Sequence, residues 1–142
     1  MNSIFIIRHV YLSYLIINFS VIFKSLISMS KHGAIGVITV NNPPVNALSP
    51  GVPEGIVDCV EAANSDDSIE AMVLIGGGRS FIAGADIKHL GKPRTEKALR
   101  MREVVEYSAK PIVAAIHGHA LGGGLEVALL CNYRIAVASA KV

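Results

Sequence analysis

The run Pro111-Ile-Val-Ala-Ala-Ile116, followed closely by Gly122, Gly123 and Gly124 and then by Leu125-Glu126, leaves few folds open to this chain of 142 residues. Pro111 to Ile116 is apolar throughout and partly β-branched, the pattern of a strand buried on both faces of a parallel sheet. The three glycines strip the Cβ atoms from the turn that leaves it. Such a turn admits φ > 0 and lets a bound group come close to the backbone. The helix start beyond it leaves N–H groups with no intrahelical acceptor. Strand, bare turn and helix N-terminus together predict an anion or oxyanion site. Glu126, three residues past Gly123 in a helix predicted over Leu125 to Cys131, sets a carboxylate beside it.

The rest of the chain alternates between two periods. Gly36 to Asn41 reads as a strand that Asn42-Pro43-Pro44 terminates. Ser49 before Pro50 has the order of an N-cap and N1, and Ile56, Val57, Val60 and Ala63 then recur at helical spacing as far as Asn64. A turn over Asn64 to Asp67 leads to a strand over Ala71 to Ile75 and the loop Gly76 to Gly78. Arg79-Ser-Phe-Ile-Ala-Gly-Ala-Asp-Ile-Lys88 repeats the theme of small residues before an acid at a helix start, and Asp86 reads as a cap or backbone anchor rather than a base. Thr95 caps a helix on which Met101, Val104, Val105 and Ser108 share a face, and Lys110-Pro111 stops it. Tyr133 to Ala138 is a last strand. Alternating strands and helices imply an α/β fold with a largely parallel sheet, and both glycine turns then fall at carboxyl ends of strands, where such sheets bind ligands.

Other readings of the same residues are narrower. Gly122-x-Gly124 reaches Val127 where a dinucleotide fingerprint needs its third small residue, so that motif fails. Glu126 alone is also accounted for by the helix dipole, worth ~0.3 to 1 kcal/mol. His117 and His119 beside the turn read as packing residues; Lys88, Lys92 and Arg94 form a solvated face or meet a phosphate-bearing ligand. Of 13 basic side chains, Arg8 and Lys24 lie in the first 28 residues, and the 11 left balance 11 acids, so no basic field for nucleic acid exists. Cys59 and Cys131 have neither metal-ligand nor redox spacing and read as buried thiols of a reducing compartment.

Ala83-Gly-Ala-Asp86 and Gly122-Gly-Gly-Leu-Glu126, taken together, resemble the two signature segments of the enoyl-CoA hydratase/isomerase (crotonase) family. Asn42-Pro-Pro-Val-Asn-Ala-Leu-Ser49 adds to the likeness, most of all to the amino-terminal hydratase domain of multifunctional β-oxidation enzymes. The resemblance covers residues 33–142 and implies a crotonase-like (ClpP/crotonase) ββα superhelix, its amino-terminal portion only. It implies hydration of 2-enoyl-CoA thioesters, with or without double-bond isomerisation. The N–H groups of Ala85 and Gly123 would hold the enolate oxygen, and Glu126 would be one of two carboxylates that activate water, its pKa raised by burial. Ala83, Ala85, Asp86, Ile87 and Lys88, with Gly123, would line the coenzyme A site, and Val45 and Ala47 its opposite wall. No metal and no resident cofactor are implied, since coenzyme A arrives with the substrate. An acyl-CoA is the implied partner, beside a homo-oligomer or a downstream dehydrogenase domain. Two alternatives stay open: another crotonase-family acyl-CoA reaction, and a non-catalytic acyl-CoA-binding fragment. Relatives continue past this point into a Gly-x-Pro-Glu segment with the second carboxylate, so an uncovered apolar sheet face and a poorly soluble or partly folded product are expected.

Residues 1–28 lie outside the resemblance. They are rich in Ile, Phe, Tyr and Ser, only Arg8 and Lys24 are charged, and the uncharged run His9 to Phe23 is short for a spanning helix of ~20 residues. A targeting or anchoring segment is one reading, and initiation at Met29 the other. A boundary between residues 28 and 29 is expected, with the shorter product folding like the longer. Initiation at Met29 implies a cytoplasmic protein; the longer chain implies a peroxisome, a mitochondrion or a membrane.

Overall fold

Apolar residues at every second position build the centre of the sheet. The computed structural model describes residues 25–142. Five strands lie in the order β1 (Ile27–His32), β2 (Ile35–Val40), β3 (Ala71–Gly76), β4 (Ile112–Ile116) and β5 (Tyr133–Ala136). β1 pairs with β2 antiparallel, and every later pair is parallel. Ile38 and Val40, Met72 and Leu74, and Ile112, Ala114 and Ile116 point to one fully buried face. The alternate positions, Val113 and Ala115 among them, are only half-buried. Burial on both faces, expected for β4, is therefore met on one, because the apolar faces of the helices join that one face in a single core.

Three helices supply the cover: α1 (Val52–Ser65), α2 (Glu96–Glu106) and α3 (Gly123–Leu130). α1 brings Val52, Ile56, Val57, Val60 and Ala63 to the core, the helical spacing legible in the sequence. Its N-cap is Gly51 at φ 94°, not Ser49. The Gly51 N–H donates to the Glu54 carboxylate at 2.8 Å, which leaves the Ser49 hydroxyl to bond elsewhere. At its other end the Lys110 ammonium donates to the Ala63 and Asp66 carbonyls at 2.7 Å, satisfying acceptors that a helix C-terminus leaves open. Thr95 caps α2 as expected, its hydroxyl oxygen accepting from the Ala98 N–H at 3.1 Å.

β1 crosses the expected boundary. Ile27 pairs with Val40, its side chain is buried, and the Asn41 N–H donates to the Leu26 carbonyl at 2.7 Å. Gly55 makes room for it: a Cβ there would stand 2.6 Å from Ile27 Cγ1. Ile27 and Ser28 thus belong to the folded domain, and the expected boundary between residues 28 and 29 is corrected. The readings of Met1 to Lys24 lie outside the described residues. At the other edge β5 is exposed along its length, with Tyr133, Ile135 and Val137 bare.

Candidate active site

The loop after β3 is shaped by side-chain hydrogen bonds. Asn46, buried at 2% exposure and at φ 56°, donates through Nδ2 to the carbonyls of Gly77 and Ser80, both at 2.8 Å, and its Oδ1 accepts from the Asn42 N–H. The segment Val45 to Leu48 then runs beside Ala83 to Ala85: the Ala83 N–H donates to the Val45 carbonyl at 3.1 Å and the Leu48 N–H to the Gly84 carbonyl at 2.9 Å. Asp86 ends this loop as the cap of a 3-10 turn, Ile87–His89, accepting from the Lys88 N–H at 3.0 Å. The Ser49 hydroxyl and His89 Nδ1 both donate to its other oxygen at 2.8 Å. Those donors, Ser49 first, hold the Asp86 carboxyl below its ordinary value. Asp86 is an anchor, as its sequence context predicts.

The turn after β4 is shaped by backbone contact instead. A Cβ on Gly124 would lie 1.9 Å from the Ile82 carbonyl oxygen, so only glycine lets the start of α3 pack there. That same carbonyl accepts from the Leu121 N–H at 3.2 Å. Gly122 caps the helix at φ 48°. Gly123 opens toward the loop after β3, since a Cβ on it would stand 3.0 Å from Leu48 Cδ1 and 3.9 Å from Ala85 N. Among the described residues neither the Ala85 N–H nor the Gly123 N–H donates to a protein oxygen. Two unpaired donors from two loops therefore lie together.

Ala85, Asp86, Gly123 and Glu126 all line one groove of about 800 Å³, closed on its far sides by the start of α1 and by α2. Leu90, Leu99, Met101 and Leu129 give it an apolar wall, and Lys92 and Arg94 add cations. Four carboxylates reach it. Asp86 is engaged as above, Glu54 accepts from Gly51 and from the Thr95 hydroxyl, and Glu106 pairs with Arg102 at 3.5 Å. Glu126 takes no hydrogen bond or ion pair among the described residues. It is exposed rather than buried, because it stands on the groove side of the first turn of α3, so the burial expected of it is absent.

Val45, Ala47, Ala83, Ile87 and Lys88 do not line this groove. Val45, Ala47 and Ala83 belong to the paired segments behind Ala85, and Ile87 is 80% exposed. Asn46 is the residue that sequence reasoning passed over; its signal was an amide placed between two apolar neighbours in a loop. Both histidines bond to the loop after β3: His117 Nε2 donates to the Gly78 carbonyl at 3.2 Å and His119 Nδ1 shares a 3.4 Å bond with the Ser80 hydroxyl. Both cysteines are unpaired, Cys131 buried and Cys59 half-buried. Burial pushes the Cys131 thiol up to about 11.

Residues 30–142 match the family described as enoyl-CoA hydratase/isomerase. A probable enoyl-CoA hydratase of Bacillus subtilis is 40% identical over 124 residues, covering 82% of this chain and 48% of that protein. The peroxisomal bifunctional enzyme of Homo sapiens is 46% identical over 114 residues, covering 78% of this chain and 16% of that one. Among solved structures, an enoyl-CoA hydratase subunit from Geobacillus kaustophilus superposes with a TM-score of 0.74 at 36% identity, over 81% of this chain and 47% of its own. The chain thus spans about half the length of the Bacillus and Geobacillus proteins, and the crotonase-like α/β fold expected from the sequence is the fold observed.

Proposed function

Since the chain belongs to the enoyl-CoA hydratase/isomerase family, we propose that its groove binds a 2-enoyl-CoA thioester and supports the addition of water across C2=C3. The observation that carries the reading is the pair of unpaired N–H groups of Ala85 and Gly123 beside Glu126, the carboxylate of the groove that has no partner among the described residues. The thioester carbonyl oxygen accepts from both donors. As the water oxygen bonds to C3, the C2=C3 electrons shift to C1–C2 and the carbonyl pair moves onto the thioester oxygen, giving an enolate that the fixed donors stabilise without reorganising. Losing one such donor costs about 2.7–4 kcal/mol in comparable sites. Glu126 takes one proton from the water as its oxygen bonds to C3, and returns that proton to C2 as the enolate collapses to complete the product. Leu90, Leu99, Met101 and Leu129 suit an acyl chain; Lys92 and Arg94 suit phosphate groups of coenzyme A. The coenzyme A enters as part of the substrate.

A second reading, isomerisation of a 3-enoyl-CoA, rests on the same geometry, because two N–H groups that hold an enolate beside a carboxylate that moves a proton also serve a double-bond shift. The peroxisomal name of the human relative supports the peroxisome among the destinations considered. No helix among the described residues is long and apolar enough to cross a membrane.

Glu126→Gln keeps the shape of the site and both donors. It is expected to lower hydration of crotonyl-CoA by at least ~10²-fold, the lower end of what a positioned acid/base group contributes, with affinity nearly unchanged. Turnover assays on crotonyl-CoA and on its 3-enoyl isomer decide between the two readings, and a variant as fast as the wild type on both removes Glu126 from either mechanism.

A further inference from the structure

Two consecutive residues, Leu48 and Ser49, clamp the residues on either side of Ala85. The Gly84 carbonyl accepts from the Leu48 N–H at 2.9 Å, and because the Gly84–Ala85 peptide is planar and trans, the Ala85 N–H is turned the opposite way. That sets one edge of the unit. On the other, the Ser49 hydroxyl donates to Asp86 Oδ2 at 2.8 Å. The hydroxyl has only one proton, and its direction is settled from behind: Asn42 Nδ2 donates to Ser49 Oγ at 3.0 Å and to the Ala47 carbonyl at 2.8 Å, so the oxygen accepts there and gives its proton to Asp86. His89 Nδ1 closes on the same Asp86 oxygen at 2.8 Å. Capping the 3-10 turn needs only the bond from the Lys88 N–H to Oδ1, so the bonds from Ser49 and His89 are surplus to capping.

We propose that the hydrogen-bond chain Asn42, Ser49, Asp86 and His89 is a positioning device that keeps the Ala85 N–H aimed into the groove. It rests on the reading of that N–H as one of two donors to the thioester carbonyl. None of the four side chains touches the reacting atoms in this scheme; they act through the Ala85 peptide. Loosening them leaves the acyl and phosphate contacts in place and weakens only the polarisation of the carbonyl, an effect on the reacting bond rather than on affinity.

The test is isotope-edited infrared spectroscopy of crotonyl-CoA, labelled at the thioester carbonyl, bound to the full chain. Wild type lowers the carbonyl stretch on binding. Ser49→Ala is expected to lose more than half of that downshift while affinity stays within about threefold, under 1 kcal/mol, and Asp86→Ala to lose at least as much of the downshift. Ser49→Thr, which keeps the hydroxyl, is expected to restore it. Ser49→Ala removes a single oxygen and decides the matter by itself if Asp86→Ala does not fold. A full downshift in Ser49→Ala overturns the positioning role and leaves the two-donor reading standing. A loss of affinity with the carbonyl frequency unmoved overturns it as well, since that marks a substrate contact. No downshift in wild type overturns the two-donor reading, and the positioning role falls with it.

Discussion

The loop after β3 and the turn after β4 each bring one backbone N–H to the same groove, yet they are held by opposite means. The first is tied by side chains: Asn46 to two carbonyls, Ser49 and His89 to Asp86. The second is wedged by the absence of side chains, with Gly124 against the Ile82 carbonyl and Gly118, at φ 60°, against the Arg79 carbonyl. Hydrogen bonds between side chains can be weakened one at a time, each worth ~0.5–1.5 kcal/mol net. A backbone contact with no room for a Cβ has no intermediate setting. The two donors therefore differ in how they fail: the Ala85 arm by degrees, the Gly123 arm at once.

The largest effect expected from this difference falls on Gly124→Ala. Its Cβ would lie 1.9 Å from Ile82 O and 2.6 Å from Ile82 C, both backbone atoms, so no rotamer relieves the clash and the start of α3 must move. We expect a loss above ~4 kcal/mol, the exceptional end of single substitutions. Urea denaturation measures it, and a variant within about 1 kcal/mol of wild type, the ordinary cost of a substitution, would show that the turn is not wedged.

A smaller loss is expected at Asn46, the chief tie of the other loop. Asn46→Ala orphans the Gly77 and Ser80 carbonyls and the Asn42 N–H together, at ~1–3 kcal/mol for a buried group left without its partner. Because water reaches part of this loop, about 2–4 kcal/mol in total is expected. Asn46→Asp keeps the acceptor for Asn42 but turns a carboxylate oxygen toward two carbonyls, so it should destabilise at least as much. Urea melts of the two variants sharpen the comparison: an aspartate variant as stable as wild type would mean that the amide donors contribute nothing.

What could be read from sequence divides along the same line. Glycine spacing, β-branched runs and the Thr95 cap are local properties, so β2 to β5 and the three helices were legible before any fold was known, whereas the pairing of the Ala85 and Glu126 segments came from the family resemblance. Ties that depend on what a loop meets in space were not. Asn46 looks like any turn asparagine until two carbonyls are seen facing it, and Ser49 has the sequence position of an N-cap although its hydroxyl serves Asp86. β1 was hidden because Ile27 is its only fully buried residue; Ser28, Ser30, Lys31 and His32 carry no apolar alternation. The glycine turn was recognised for ligand access, whereas contact with Ile82 is what forbids a side chain at Gly124. Exposure of Glu126 follows from which wall of the groove it stands on, and no local pattern encodes that.

The smallest effect expected separates the two arms by acid. The Lys88 N–H donates to Asp86 Oδ1, a titratable acceptor, while the Leu121 and Gly124 N–H groups donate to the carbonyls of Ile82 and Leu121, which do not titrate. The Asp86 carboxyl lies below its ordinary value of 3.8, mainly through the hydroxyl of Ser49 and then through His89 and the Lys88 N–H. A group that binds its proton less tightly folded than unfolded contributes stability that is fully present above the ordinary value and disappears as pH falls through the lower, folded one. The side-chain tie of the first arm is thus intact above the ordinary value of 3.8 and released only as pH falls through the lower, folded one. Amide NMR across that range should show the Lys88 signal titrating with a midpoint under 3.8, while the Leu121 and Gly124 signals stay still until the whole chain unfolds. Ser49→Ala should raise the Lys88 midpoint toward the ordinary value, because it removes the largest cause of the depression. Should Lys88 titrate at or above 3.8 in the wild type, or should Gly124 move with it, the two arms are not held by different means and the contrast between them collapses.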